Sequence, residues 1–172
     1  MANWASTSYA IEGSKSDLAR VSNVIDSFMK GNTKPVEANA SKEWEGNIVK
    51  ALGASDEQMK NNYLRGFIQT YEIIEGVLYI EAEEAWGATD FRHLLAKLMP
   101  ELTIYYIVEE CGCEVYATND SNSKYFTESY YVDVCIDGDY FSEYFDTEKQ
   151  VLAYMAQLLK KKSVTMKEID EW

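Results

Sequence analysis

A chain of 172 residues with 29 acidic and 16 basic side chains, net −13 at pH 7, is a poor candidate for direct nucleic-acid binding, because neutralising phosphate takes Lys and Arg. Its 47% hydrophobic and 26% charged fractions are those of an ordinary globular protein, long enough for one shared core. The acidic surplus is local: residues 72–146 hold 17 of the acids and three of the bases, and both flanks are close to neutral.

Residues 4–11 form a short β-prone run ending at Glu12-Gly13. Ser14 can cap a helix, with Asp17 at its third position. Leu18, Val21, Ile25 and Phe28 then recur at spacings of three and four, one face of a helix that Gly31 stops. Residues 32–42, with Pro35 and small polar side chains, read as a loop. Trp44 opens a shorter helix with Ile48, Val49 and Leu52 on its apolar face, closed by Gly53. A polar stretch runs to Asn62. Residues 63–74 and 77–84 are strand-like runs around Glu75-Gly76, a hairpin signal. Trp86-Gly87 leads to Thr89, a predicted cap, and Phe91, Leu94, Leu95 and Leu98 line the helix before Pro100.

Residues 102–109 alternate. Leu102, Ile104, Tyr106 and Val108 take one face, and Thr103, Tyr105, Ile107 and Glu109 the other. Residues 113–118, 130–136 and 140–145 read as further strands, with Asp137-Gly138 a tight turn. Thr147 with Gln150 fits a capping box. Val151, Leu152, Met155, Leu158 and Leu159 mark a last amphipathic helix. The fold class is therefore α+β. Residues 1–109 read as a ferredoxin-like split βαβ antiparallel sheet with an inserted helix at 44–53. Residues 110–172 append a C-terminal β-meander and helix expected to share the same core.

Two stretches carry a family likeness: Asn3-Trp4 leading through a strand to Gly13, and Glu84-Ala85-Trp86, a short helix, Met99-Pro100, then Leu102-Thr103-Ile104-Tyr105-Tyr106-Ile107-Val108-Glu109. Together they resemble the YubB-like ferredoxin-like proteins of plasmids, phages and gut Bacteroides. The helix from Trp44 to Gly53, followed by Tyr63-Leu64-Arg65-Gly66, is most similar to the Bacteroides members. The chain departs from that pattern at Gly87-Ala88, where Pro often follows the second Trp, and at Cys111-Gly112-Cys113, which replaces a Gly-containing turn. The resemblance implies the fold and a mobile-element or gut-commensal setting. It carries over no catalytic residue.

Candidate chemistry is sparse. Cys111 and Cys113 could offer two thiolates to a metal, but a structural zinc site takes four N or S ligands, and Cys135 and His93 are the only others. His93 falls off its helix's apolar stripe. Three Cys residues in a chain of this size point to free thiols and a reduced, cytoplasmic setting. A bridge from Cys135 to one of the pair would need neighbouring strands. The start lacks the charged and apolar regions of a signal peptide, and no apolar run reaches membrane-spanning length. Phosphate cradles of the GxGxxG or GxxxxGK[ST] type are missing, and no cofactor is expected. Trp4, Trp44 and Trp86 stand at element boundaries, where a large ring can plug a core. Lys160-Lys161-Lys162 closes a helix, where cations complement the dipole.

Strand alternation places the acidic surplus. With Leu78, Ile80 and Ala82 inward, Tyr79, Glu81 and Glu83 turn outward, as do Tyr105, Ile107, Glu109, Glu114 and Tyr116. In the meander Tyr131, Asp133 and Asp137 turn outward. The result is an acidic, Tyr-rich sheet face suited to a basic protein partner, with Tyr supplying contact area and charge steering encounter. The alternatives are an acidic mimic of nucleic acid that occupies a DNA-binding protein, a homodimer that covers the rings, and an enzyme using a surface carboxylate pair among Glu81, Glu83 and Glu109.

Overall fold

In a computed structural model the chain is described from Asn3 to Ile169, except Cys111 and Cys113, with side chains as far as Lys160. The elements run in chain order β1 (Trp4–Glu12), α1 (Lys15–Met29), α2 (Glu45–Ala51), α3 (Asp56–Asn61), β2 (Gly66–Ile74), β3 (Val77–Ala85), α4 (Phe91–Leu98), β4 (Thr103–Glu110), β5 (Val115–Thr118), β6 (Tyr130–Ile136), β7 (Asp139–Phe145) and α5 (Glu148–Ile169). No described helix is long and apolar enough to cross a membrane.

Two compact units divide the chain, Met1–Asp120 and Ser121–Trp172. The first is a mixed α+β unit around a five-stranded sheet of order β2-β3-β1-β4-β5. Every neighbouring pair in it is antiparallel. The second unit holds the β6–β7 hairpin, a two-stranded sheet of its own, and α5. The run at 113–118 thus splits from the meander expected by sequence: β5 starts at Val115 and pairs with β4.

Local chemistry explains where the helices begin. The Ser14 side chain accepts the Asp17 N–H at the start of α1. The apolar stripe Leu18, Val21, Ile25 and Phe28 is buried, as are Phe91, Leu94 and Leu95 of α4. These side chains join Tyr9, Ile11, Ile68, Leu78 and Ile80 of the sheet in one core, where each large apolar side chain contributes roughly 1.5–3 kcal/mol. At the N-terminus of α5 the Thr147 N–H donates to Gln150 Oε1, and the Gln150 N–H donates back to Thr147 Oγ1.

Four expectations are corrected. The polar stretch after Gly53 contains α3, closed by a reciprocal Ser55–Gln58 capping box; six residues show too little apolar periodicity for pattern to reveal them. Thr89 is not the N-cap of α4, a place taken by Asp90; its hydroxyl turns into the core, for reasons given below. Of the three boundary tryptophans, Trp44 packs on the core, whereas Trp4 and Trp86 are 42% and 52% exposed. Trp86 sits at positive φ beside Gly87, in a turn that swings its ring outward. The first hairpin strand begins at Gly66, later than residue 63, because the Tyr63 N–H is bound to the Asp90 carboxylate.

Candidate functional site

Strand register decides which predicted surface residues meet. Pairing across the first sheet sets Phe67, Glu83, Ser6, Glu109 and Tyr116 in one row. Thr70, Glu81, Ser8, Ile107 and Thr118 form the next. Glu72, Tyr79, Ala10 and Tyr105 form the third. Residues directly opposite in a ladder share a face, and this face is the reverse of the one that carries Tyr9, Ile11, Leu78 and Ile80 to the helices. Tyr79, Glu81, Glu83, Tyr105, Ile107, Glu109 and Tyr116 therefore lie together, as alternation predicts.

On this face the β-strands of the first unit place Glu12, Glu72, Glu81, Glu83 and Glu109, and no Lys or Arg among the described residues. Glu72, Glu81 and Glu83 are exposed, while Tyr79, Tyr105, Ile107, Glu109 and Tyr116 are half-buried. The Ser8 hydroxyl donates to Glu81 Oε2 at 2.5 Å, and Gln69 Nε2 donates to Glu83 Oε2 at 3.3 Å. A register shift between Ile68 and Thr70 makes Gln69 the extra residue of β2 and aims it at Glu83. At the strand ends the Trp4 and Phe67 rings lie 5.6 Å apart, with the Arg65 guanidinium over Trp4.

The remaining predicted residues fall elsewhere. Glu114 occupies a left-handed turn position before β5, at φ 56°. Tyr131 and Asp133 belong to β6, and Asp137 to the β6–β7 turn, hence to the second sheet. His93 and Cys135 are exposed, and no group of three or more metal-ligating side chains forms among the described residues. Cys111 and Cys113 lie outside the described residues, and the Lys160-Lys161-Lys162 run does not close its helix, which continues to Ile169.

A second cluster is wholly interior, and neither of its carboxyls figures among the candidate site residues read from sequence. Glu45, the first residue of α2, and Glu84, near the end of β3, are both 0% exposed. Thr89 Oγ1 stands between them, 2.7 Å from Glu45 Oε1 and 2.8 Å from Glu84 Oε1, and it also accepts the Phe91 N–H at 3.2 Å. The Tyr9 hydroxyl donates to Glu84 Oε1 at 2.7 Å. The Arg92 guanidinium donates to the Thr89 carbonyl and lies 4.7 Å from the Tyr106 ring.

Donor counting fixes a proton in this cluster. Thr89 has one hydroxyl hydrogen and two carboxyl contacts, so one carboxyl supplies the other hydrogen. Glu84 Oε1 also accepts from the Tyr9 hydroxyl, which favours Glu45 as the acid of the pair. Electrostatics agree: burial first, and the charge of Glu84 second, push the Glu45 carboxyl well above its ordinary range. Burial, then the neighbouring Glu84 charge, likewise pushes the Tyr9 phenol well up.

The packing seals the pair. Glu45 and Glu84 are in hydrogen-bonding contact with each other, neither Oε2 has a partner outside the pair among the described residues, and Gly66 packs its bare α-carbon against the Glu45 carboxyl and Glu84 Cγ. A groove of about 560 Å³ beside α2 and α3 is lined by Trp44, Met59, Lys60, Tyr63, Leu64 and Arg65 among others, and neither carboxyl lines it. Two carboxyls with one proton can serve acid–base chemistry when substrate reaches them. Here the pair ties α2 to β3 and to the segment before α4. Asn47 does similar work for the preceding loop: it accepts the Val36 N–H at 3.0 Å and donates to the Ser41 carbonyl at 2.8 Å.

Comparison with protein families, curated proteins and solved structures finds no match to this chain.

Proposed function

We propose that this is a non-enzymatic, cytoplasmic binding protein that presents the acidic face of its first sheet to a basic macromolecular partner. The observation that carries the proposal is the placement of exposed Glu81 and Glu83 at alternate positions of β3, on a face where the described strands supply no cation. Such a field speeds encounter with a basic surface and repels nucleic acid and acidic proteins. The rows of half-buried Tyr and Ile beside the carboxylates supply apolar contact area of the kind found at interface cores.

The proposal includes a ferredoxin-like frame. The order β2-β3-β1-β4, with α1 joining β1 to β2 and α4 joining β3 to β4, supports it. In that plan helices cover one sheet face and the other is available for contacts. The likeness to YubB-like proteins of mobile elements fits the same frame and is part of the reading.

The test compares wild type with the Glu81→Lys/Glu83→Lys double variant as bait in cell extracts. A basic protein retained at low salt by wild type and lost with the variant or at high salt is the expected result. Identical captured proteins for both baits overturn the proposal.

A further inference from the structure

We propose that the Glu45–Glu84 carboxyl pair is a proton-operated latch: losing its single proton releases α2, together with the flanking segments within 43–65, from a sheet that stays folded. The inference is separate from the docking face and rests on the interior geometry.

Three features make α2 the part that moves. It is seven residues long, too short to hold its helix without tertiary contacts. It lies in the excursion between α1 and β2, with loops on both sides. The polar attachments of its segment are countable: Glu45 through Thr89 to Glu84, the Ile68 N–H to the Glu43 carbonyl at 2.8 Å, the Ala85 N–H to the Arg65 carbonyl at 3.0 Å, and the Tyr63–Asp90 pair of bonds at 2.7 and 2.9 Å. Ile48, Val49, Leu52, Ala54 and Leu64 supply the segment's apolar anchorage. The strands, by contrast, are laddered on both edges of β1 and β3.

The charges around the pair decide what deprotonation does. From β1 comes the Tyr9 phenol, a donor to Glu84. From the segment before α4 comes Asp90, whose negative charge bears on Glu45. From α4 comes Arg92, whose guanidinium is engaged by the Thr89 carbonyl and faces the Tyr106 ring. From β2 comes Gly66, with no side chain at all. Neither Glu45 nor Glu84 forms an ion pair among the described residues. A second negative charge would thus sit beside Glu84 and near Asp90, in a site with no exposure to solvent. Removing it to solvent by lifting the helix that bears it relieves the repulsion.

Hydrogen exchange read by mass spectrometry, corrected for intrinsic rates, tests this in the intact chain. As pH rises from acidic through neutral into alkaline solution, protection of residues 43–65 should fall by about tenfold or more while β1 and β3 keep theirs. Glu45→Gln, which mimics the protonated acid, should remove the pH dependence. Unchanged protection in wild type, or a pH dependence that survives in the variant, overturns the latch. Should the variant fail to fold, the infrared carbonyl band of a protonated carboxyl in neutral wild-type solution decides: the latch requires it, and its absence refutes it.

Discussion

Gly66 sits with its α-carbon against the carboxyl of Glu45: a Cβ at that position would overlap Glu45 Oε2 and come within 2.9 Å of Glu84 Cγ. The constraint is steric and needs no unusual backbone angle. Gly66→Ala should therefore destabilise the protein by about 1–3 kcal/mol, the range for overpacking a filled interior. Urea unfolding measures it, and wild-type stability would contradict it. In a Glu45→Ala background the same change should cost less, since the obstructing carboxyl is gone; this coupling separates the proposed contact from a general intolerance of strand β2.

The direction of the pH response follows from the raised pKa of Glu45. Unfolded, Glu45 titrates in the ordinary carboxyl range; folded, it keeps its proton to higher pH. The native state then binds the extra proton, so stability falls as pH rises from that range towards the raised value. Asp26 and Asp56 act in the opposite sense, held down by side-chain hydrogen bonds from Lys30 and Lys50 respectively, and their contributions disappear as pH falls. The difference between wild type and Glu45→Gln isolates the buried acid. The variant's urea midpoint should exceed that of wild type above neutral pH, with the gap closing on acidification; a gap independent of pH would refute the assignment.

How far the sequence foretold this arrangement depends on which interaction carried each part. The helix stripe Leu18-Val21-Ile25-Phe28 and the alternation of β3 and β4 were legible because periodicity is written locally, and they sufficed to assemble the acidic face. The same alternation that turns Leu78, Ile80 and Ala82 inward also turns Glu84 inward, so that half of the interior pair carried a signal. Glu45 carried none: its burial depends on where α2 docks and on the missing side chain of Gly66, 21 positions downstream in the numbering. The separation of β5 from the β6–β7 hairpin was equally hidden, because strand runs do not name their partners. Thr89 looked like a cap since a hydroxyl before an apolar helix normally serves its own backbone; here it does so for Phe91 and bridges two acids as well.

The Tyr9 hydroxyl donates into this cluster, to Glu84 Oε1 at 2.7 Å. Tyr9→Phe keeps the ring and its edge-on contact with Phe91 and deletes a hydrogen bond to a charged acceptor. A loss of about 1.5–3 kcal/mol is expected in chemical denaturation, the range for such bonds. A loss below about 0.5 kcal/mol, the scatter of neutral surface changes, would mean that Glu84 does not need this donor.

A second phenol–carboxylate contact ties α1 to the sheet edge: the Tyr71 hydroxyl donates to Asp26 Oδ1. Burial first, then this bond and the Asp26 charge, push the Tyr71 phenol up to about 12. Tyr71→Phe should let the Asp26 pKa rise towards its ordinary value while Lys30 still holds it partly down. Carboxyl-carbon NMR titration reads this directly, and an unmoved Asp26 would show that the hydroxyl contributes nothing there.

The β2–β3 turn offers a stabilising change. Glu75 and Gly76 both sit at positive φ, 50° and 82°, between the paired residues Ile74 and Val77. That is the two-residue primed turn whose twist matches the strands and whose first position favours Asn. Glu has no special tolerance for the left-handed region, whereas Asn enters it at lower cost. Glu75→Asn also removes one charge from a strongly acidic stretch. The variant should gain about 0.5–1 kcal/mol, the scale of single turn optimisations, with unchanged m-value in urea because the exposed surface is the same. A loss of stability would show that Glu75 makes a favourable interaction outweighing its strained backbone.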